Sequence, residues 1–143
     1  TFHHPVPDIE AIDIILTDFH GIGRGKTIRR HELESIYKSG RDLPSSIFGQ
    51  DVSGEDVDDC GLVQTGGGGD CRRWPVPGTL GYMPPHTGRG QLLISMYEDD
   101  GSPHDVDPRN VFAAQIKRTQ KLGYHPKVGK KIVFSLVGSL FFK

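Results

Sequence analysis

Cysteine is scarce in this chain of 143 residues: there are two, Cys60 and Cys71. They form neither a CxxC pair nor the disulfide framework that staples small secreted domains, so reduced thiols in a cytoplasmic protein are the expectation. No second Cys/His pair completes a zinc-finger spacing. Charge of one sign is also lacking. Lys plus Arg is 17 and Asp plus Glu is 18, for a net charge of -1, which excludes a nucleic-acid binder that works by bulk positive charge. Long apolar runs are absent too. The longest, 132–142, is broken by Ser135, Gly138 and Ser139, and a membrane helix needs about 20 apolar residues. Neither an HExxH pair nor a Ser-His-Asp or Cys-His nucleophile arrangement can be read, and no internal repeat is found.

What is present is a chain of 15.8 kDa, enough for one domain, or one and a fragment, with an ordinary core. It opens on Thr1, so the natural start is expected upstream. Glycine (19) and proline (10) are plentiful, so turns and loops take a large share. Ile12 to Phe19 is β-branched and apolar, and predicts a strand. His20 to Gly25 reads as a glycine-rich turn leading to a short second strand at Lys26-Thr27-Ile28. Leu33, Ile36 and Tyr37 lie at helical spacing between His31 and Lys38, with Gly40 suited to the position just past the helix end. Ser45 to Phe48 reads as a possible strand, Gly49 to Asp59 as an acidic loop, and Gly66 to Gly69 as a loop. Trp74 to Leu80 reads as extended, because each proline restricts itself and its predecessor. Gln91 to Tyr97 predicts a strand ended by the turn Asp99-Asp100-Gly101. Asp107-Pro108 predicts a helix start, running to Leu122 and stopping at Gly123. Val128 to Phe142 predicts a further strand. The order implies a small mixed sheet crossed by one helix, then the opening of a second unit.

The chemistry is harder to read. Gly25-Lys26-Thr27 resembles the end of a phosphate loop, but the first glycine that loop requires falls on His20, so a hairpin with a basic exit fits better. The acidic stretch Asp51, Glu55, Asp56, Asp58 and Asp59 lacks a calcium-loop spacing and reads as solvated surface, with a cation or an amine as the other possible ligand. The histidines are dispersed: His3, His4, His20, His31, His86, His104 and His125. Trp74, beside Arg72 and Arg73 on a stiff segment, reads equally as an interface anchor or a local core plug.

Taken together and in order, several segments resemble the amino-terminal region of the glutamine synthetase family. They are Thr17-Asp18-Phe19-His20-Gly21 followed by Arg24-Gly25-Lys26; Asp51-Val52-Ser53-Gly54; Pro75 to Leu80 (PVPGTL); Tyr97 to Pro103 (YEDDGSP); and Asp107 to Val111 (DPRNV). The DVxG and PVPGTL segments look more like the branch that joins glutamate to amines or polyamines. Where ammonia-using members typically read FDGSSI, Ser45-Ser46-Ile47 matches the tail but Leu43-Pro44 replaces Asp-Gly.

The resemblance implies an α+β fold: an N-terminal arm over 1–11, a β-grasp domain over 12–103, and the truncated start of an α/β catalytic domain over 104–143, atypical from 130. It implies the N-terminal portion of an ATP-dependent ligase that forms a γ-glutamyl amide from glutamate and ammonia or an amine. It further implies ATP with Mg2+ or Mn2+ in the complete enzyme, none of them expected on this chain alone. The partners implied are a homo-oligomeric ring in the cytoplasm, with active sites at subunit interfaces, and neither nucleic acid nor membrane. Asp51 is implied on the substrate-side loop, and Trp74 and Arg73 are candidate interface residues. No catalytic set is complete in this chain. Two glutamates that bind metal in the family fall on Lys131 and Val133, and a lysine cannot serve as a carboxylate ligand. The alternative is a truncated, non-catalytic β-grasp module that serves interaction or assembly.

Overall fold

The computed structural model describes residues 9–62, 70–83 and 88–129. Strand β1 (Ala11–Thr17) buries Ile12, Ile14 and Leu16 on one face, at the period of two that a half-buried strand requires. A tight turn returns the chain antiparallel as β2 (Gly23–Arg29). This strand starts three residues earlier than Lys26. Gly25 is needed there, because a Cβ would run into the carbonyl oxygen of Ile14 across the ladder. A single 3-10 turn leads into helix α1 (Leu33–Ser39), which buries Ile36. The helix ends at Gly40 with φ +70°. A Cβ at Gly40 would sit 2.7 Å from the Arg73 carbonyl oxygen, so shape and backbone conformation both call for glycine.

Strands β3 (Arg41–Pro44), β4 (Asp70–Pro75), β5 (Gly81–Tyr82) and β6 (Arg89–Tyr97) complete the sheet. The order is β2-β1-β6-β4-β3, with β5 also on β6. The β1–β6 pair is parallel, setting Ile14 beside Leu92, and the other pairs are antiparallel. The sheet is therefore mixed, with few helices, in agreement with the α+β expectation. β6 lies between β1 and β4, and its Leu92, Ile94 and Met96 join Ile12, Ile14 and Leu16 in the core. Each such side chain contributes about 1.5–3 kcal/mol by leaving water.

Helix α2 (Pro108–Lys121) starts at the predicted cap. One oxygen of Asp107 accepts from the Arg109 N–H at 2.8 Å, and the other accepts from the buried Met96 N–H at 2.7 Å. Asn110 donates to the Met96 carbonyl at 2.7 Å. The start of α2 is thereby tied to the last core residue of β6.

Two sequence expectations need correction. Residues 45–48 are not a strand: Ser45–Gly49 forms a 3-10 helix, and the strand is the preceding Arg41–Pro44. The segment 74–80 is not extended throughout. β4 ends at Pro75, and Val76 to Thr79 make a turn with Gly78 at φ +77°. Within the segment expected as an N-terminal arm, Ile9 is buried in the core and Ala11 opens β1. Gly66 to Gly69 lie outside the described residues, as does all of the strand expected over Val128 to Phe142 except Val128 and Gly129, which are not in a strand.

Candidate functional site

The β1–β2 turn is built around a buried carboxylate. One oxygen of Asp18 accepts the N–H groups of His20 and Ile22, at 2.8 and 2.9 Å, and the other accepts Arg24 Nε at 2.8 Å. Asp18 is 3% exposed. Burial alone would raise its carboxyl, but the Arg24 hydrogen bond and the two backbone donors outweigh that and hold it below the ordinary aspartate range. This closed turn presents Phe19 and His20 outward; Phe19 is exposed and its ring centroid lies 5.8 Å from that of Phe48.

The same Arg24 reaches a second loop and donates to the Asp51 carbonyl at 2.5 Å. Asp51 opens a tight turn in which its own Oδ1 accepts from the N–H groups of Ser53 (2.8 Å) and Glu55 (3.0 Å). Gly54, at φ +90°, lets that turn close. The Glu55 N–H lowers the Asp51 carboxyl against a smaller opposing effect of burial, and the Ser53 and Gly54 N–H groups add to it. The Asp51 Oδ2 has one long contact, to Ser53 Oγ at 3.4 Å. An ionised carboxylate with one oxygen committed to its loop and the other on the rim can receive a cationic group. The turn tip at 18–22 and the loop at 51–55 are therefore one unit, joined by Arg24.

The remaining sequence candidates scatter. Gly25-Lys26-Thr27 lies within a strand of a hairpin, not on a loop leading to a helix, so it is not a phosphate loop. Asp56 meets Gln50 at 3.3 Å, and Glu55, Asp58 and Asp59 are exposed. Arg73 is fully buried in the sheet and donates to the carbonyls of Pro44 (2.9 Å) and Cys71. Trp74 is half-buried beside Ser95 on β6. Lys131 and Val133 lie outside the described residues.

Sequence spacing missed one grouping. Cys71 on β4, Glu98 just past β6 and His104 ahead of α2 place a sulfur, an oxygen and a nitrogen within 4.8 Å of one another. No local motif could have signalled it, because only the sheet brings the three together.

No protein-family model matches the chain. The curated relatives include the γ-glutamylputrescine synthetase PuuA of Escherichia coli, 35% identical over 135 residues, covering 92% of this chain and 28% of that protein. They also include a glutamate–isopropylamine ligase of a Pseudomonas species, 29% identical over 82% of this chain and 26% of the relative, and a glutamine synthetase of Methanosarcina mazei, 28% identical over 90% and 27%. The chain thus spans little more than a quarter of the length of these relatives. Among solved structures, a novel glutamine synthase homologue superposes with a TM-score of 0.67 at 21% identity, over 83% of this chain and 28% of that one. GmaS in complex with ADP superposes at 0.62 and 19% identity, over 80% and 24%. The resemblance read from the residues is borne out in sequence, and the fold is that of glutamine synthetase homologues. Among the described residues, no helix is long and apolar enough to cross a membrane.

Proposed function

We propose that this chain is the N-terminal portion of an ATP-dependent ligase that joins the γ-carboxylate of glutamate to an amine. In this reading, residues 12–103 are a β-grasp domain and residues from 104 open the α/β catalytic domain. The domain presents its 18–22 and 51–55 loops to an active site at a subunit interface of a cytoplasmic homo-oligomeric ring, with Trp74 as a candidate interface residue. The observation that carries the reading is the similarity to the E. coli γ-glutamylputrescine synthetase along 92% of the chain.

The reaction runs in two displacements. A glutamate γ-carboxylate oxygen attacks the terminal phosphorus of ATP, and ADP leaves. The amine nitrogen then attacks the resulting acyl phosphate, inorganic phosphate leaves, and the nitrogen gives up a proton. A divalent ion would neutralise charge on the transferred phosphoryl group. The residues present do not fit that ion: the two positions the family resemblance marks for it hold Lys131 and Val133, neither of which offers an oxygen ligand. No step through it is assigned to this chain.

The chain's own contribution is at the amine. Most amines reach the site as ammonium ions, and Asp51, kept ionised by its own turn, draws them to the rim by charge. Asp51→Asn tests this cleanly, because asparagine can keep the turn while losing the charge. In the full-length enzyme, KM for the amine should rise about twofold to fivefold, the worth of a half-exposed charge pair, while KM for glutamate stays put. An unchanged amine KM removes Asp51 from the site. Lys131 and Val133 favour the second reading, a non-catalytic assembly module; absence of amine-dependent ADP release in the longest natural product carrying this segment would establish it.

A further inference from the structure

We propose that Cys71, Glu98 and His104 form a binding site for a borderline-soft divalent cation of the zinc class, which goes beyond the ligase reading and is independent of it. The three donors come from separate stretches of chain and meet at one end of the sheet. Cys71 is half-buried on β4, where it pairs with Leu43. Glu98 follows β6 directly, and its backbone N–H donates to Ser102 in the turn that brings the chain back. His104 donates its own backbone N–H to the Met96 carbonyl at 3.1 Å and is buried against Phe48, ring centroids 6.4 Å apart.

The geometry suits a metal more than a direct hydrogen bond. His104 Nε2 and Glu98 Oε1 are 3.6 Å apart, too long for a good hydrogen bond. Two ligands on a tetrahedral zinc, with bonds of about 2.0–2.2 Å, stand about 3.3–3.6 Å from each other. The sulfur lies within 4.8 Å of both, so a small inward movement closes three positions and leaves the fourth to water. The movement falls to the Cys71 sulfur, and Glu98, whose side chain is 45% exposed, can adjust with it. A thiolate and a carboxylate together neutralise a divalent charge. Sulfur and imidazole nitrogen select zinc-class ions and disfavour Mg2+, so this site differs in kind from the oxygen-seeking ion of the proposed reaction.

The outer edge of the imidazole would change its partner on metal binding. The Val106 N–H donates to His104 Nδ1 at 3.3 Å, and the Asp105 carboxylate stands 4.0 Å from the same nitrogen. When Nε2 takes a metal, the ring proton belongs on Nδ1. That proton would replace the long Val106 contact, and the exposed Asp105 carboxylate would swing in from 4.0 Å to accept it, the usual second partner of a metal-bound histidine. The bound ion would clamp β4 to the segment that launches α2.

The test is titration of the metal-free 143-residue chain with Co2+, read by absorption. One equivalent should produce a thiolate-to-cobalt charge-transfer band, which Zn2+ abolishes and excess Mg2+ leaves alone. Cys71→Ser should remove the band, His104→Gln should weaken binding about tenfold or more, and Cys60→Ser should change nothing. Far-UV circular dichroism separates lost binding from lost folding. Zn2+ should also raise the melting temperature of the unaltered chain, a readout that needs no variant. No charge-transfer band together with an unmoved melting temperature, or a band that survives Cys71→Ser and vanishes in Cys60→Ser, overturns the site.

Discussion

Asp18 shows how one side chain sets a whole loop. Its two oxygens close the 18–22 turn, and through Arg24 they fix where the Asp51 loop sits. Asp18→Asn keeps the shape but loses the charge-assisted bond and leaves Arg24 without its counter-charge, so it should cost about 2–4 kcal/mol, measured by urea unfolding. The pH dependence has a definite sign. The folded carboxyl lies below its ordinary value, so its stabilisation is complete above the unfolded value of about 4 and is lost as pH falls through the lower folded value. The unaltered chain should therefore lose stability on acidification through that window, and Asp18→Asn should lose less; parallel acid limbs would contradict this. The sequence displayed Asp18 within TDFHG, but not its role, since its partners exist only once the turn has closed. Asp51 was legible as a residue of interest because of its DVSG setting. That one of its oxygens is spent holding its own turn was not. His104 was one of seven scattered histidines, and nothing in its neighbours announces a cysteine from β4.

At the scale of elements, the joint between β6 and α2 turns on Asp107, which serves both at once. It caps α2 through Arg109 and satisfies the N–H of Met96, a residue with no exposure. Asp107→Ala removes the cap, worth about 0.5–2 kcal/mol, and strands a buried donor, worth about 1–3 kcal/mol. A combined loss of about 2–4 kcal/mol should appear in thermal or urea unfolding; a loss no larger than that of an ordinary exposed cap would show that Met96 finds another acceptor. The elements that sequence reading found are those that carry a period or a cap. β1 and β6 alternate, α1 has its spacing and its closing glycine, and α2 has Asp-Pro. Those it missed borrow their structure. β3 buries one residue, Leu43, and β5 is two residues long, so both exist because β4 and β6 offer them edges to pair with. The stretch after Pro44 has strand-like composition, yet it curls into a 3-10 turn that seats Phe48 under the sheet.

The molecule as a whole leaves one face unfinished. Among the described residues, none in α2 is buried, although the helix carries Val111, Phe112 and Ile116. Phe112 is 52% exposed and Leu122, just past the helix, 70%. Phe112 borders an open cleft with Thr17, Ile94 and Pro108, so the apolar surface is contiguous with the edge of the core. A helix of 14 residues is marginal in water without an apolar partner, and exposed apolar patches of this kind promote association. The 143-residue chain in isolation should therefore self-associate, with a sedimentation coefficient that rises with concentration. Phe112→Asn should weaken that association while leaving the sheet intact by circular dichroism, because Phe112 takes no part in the described core. The comparison also separates two sources of association. If the α2 face is responsible, the Phe112 variant becomes more dispersed; if instead an edge of the sheet pairs with a second chain, the variant associates as before. A chain that stays monomeric at high concentration, with α2 fully helical, would mean that this face is stable in water, and the reason to expect a covering domain or subunit would disappear.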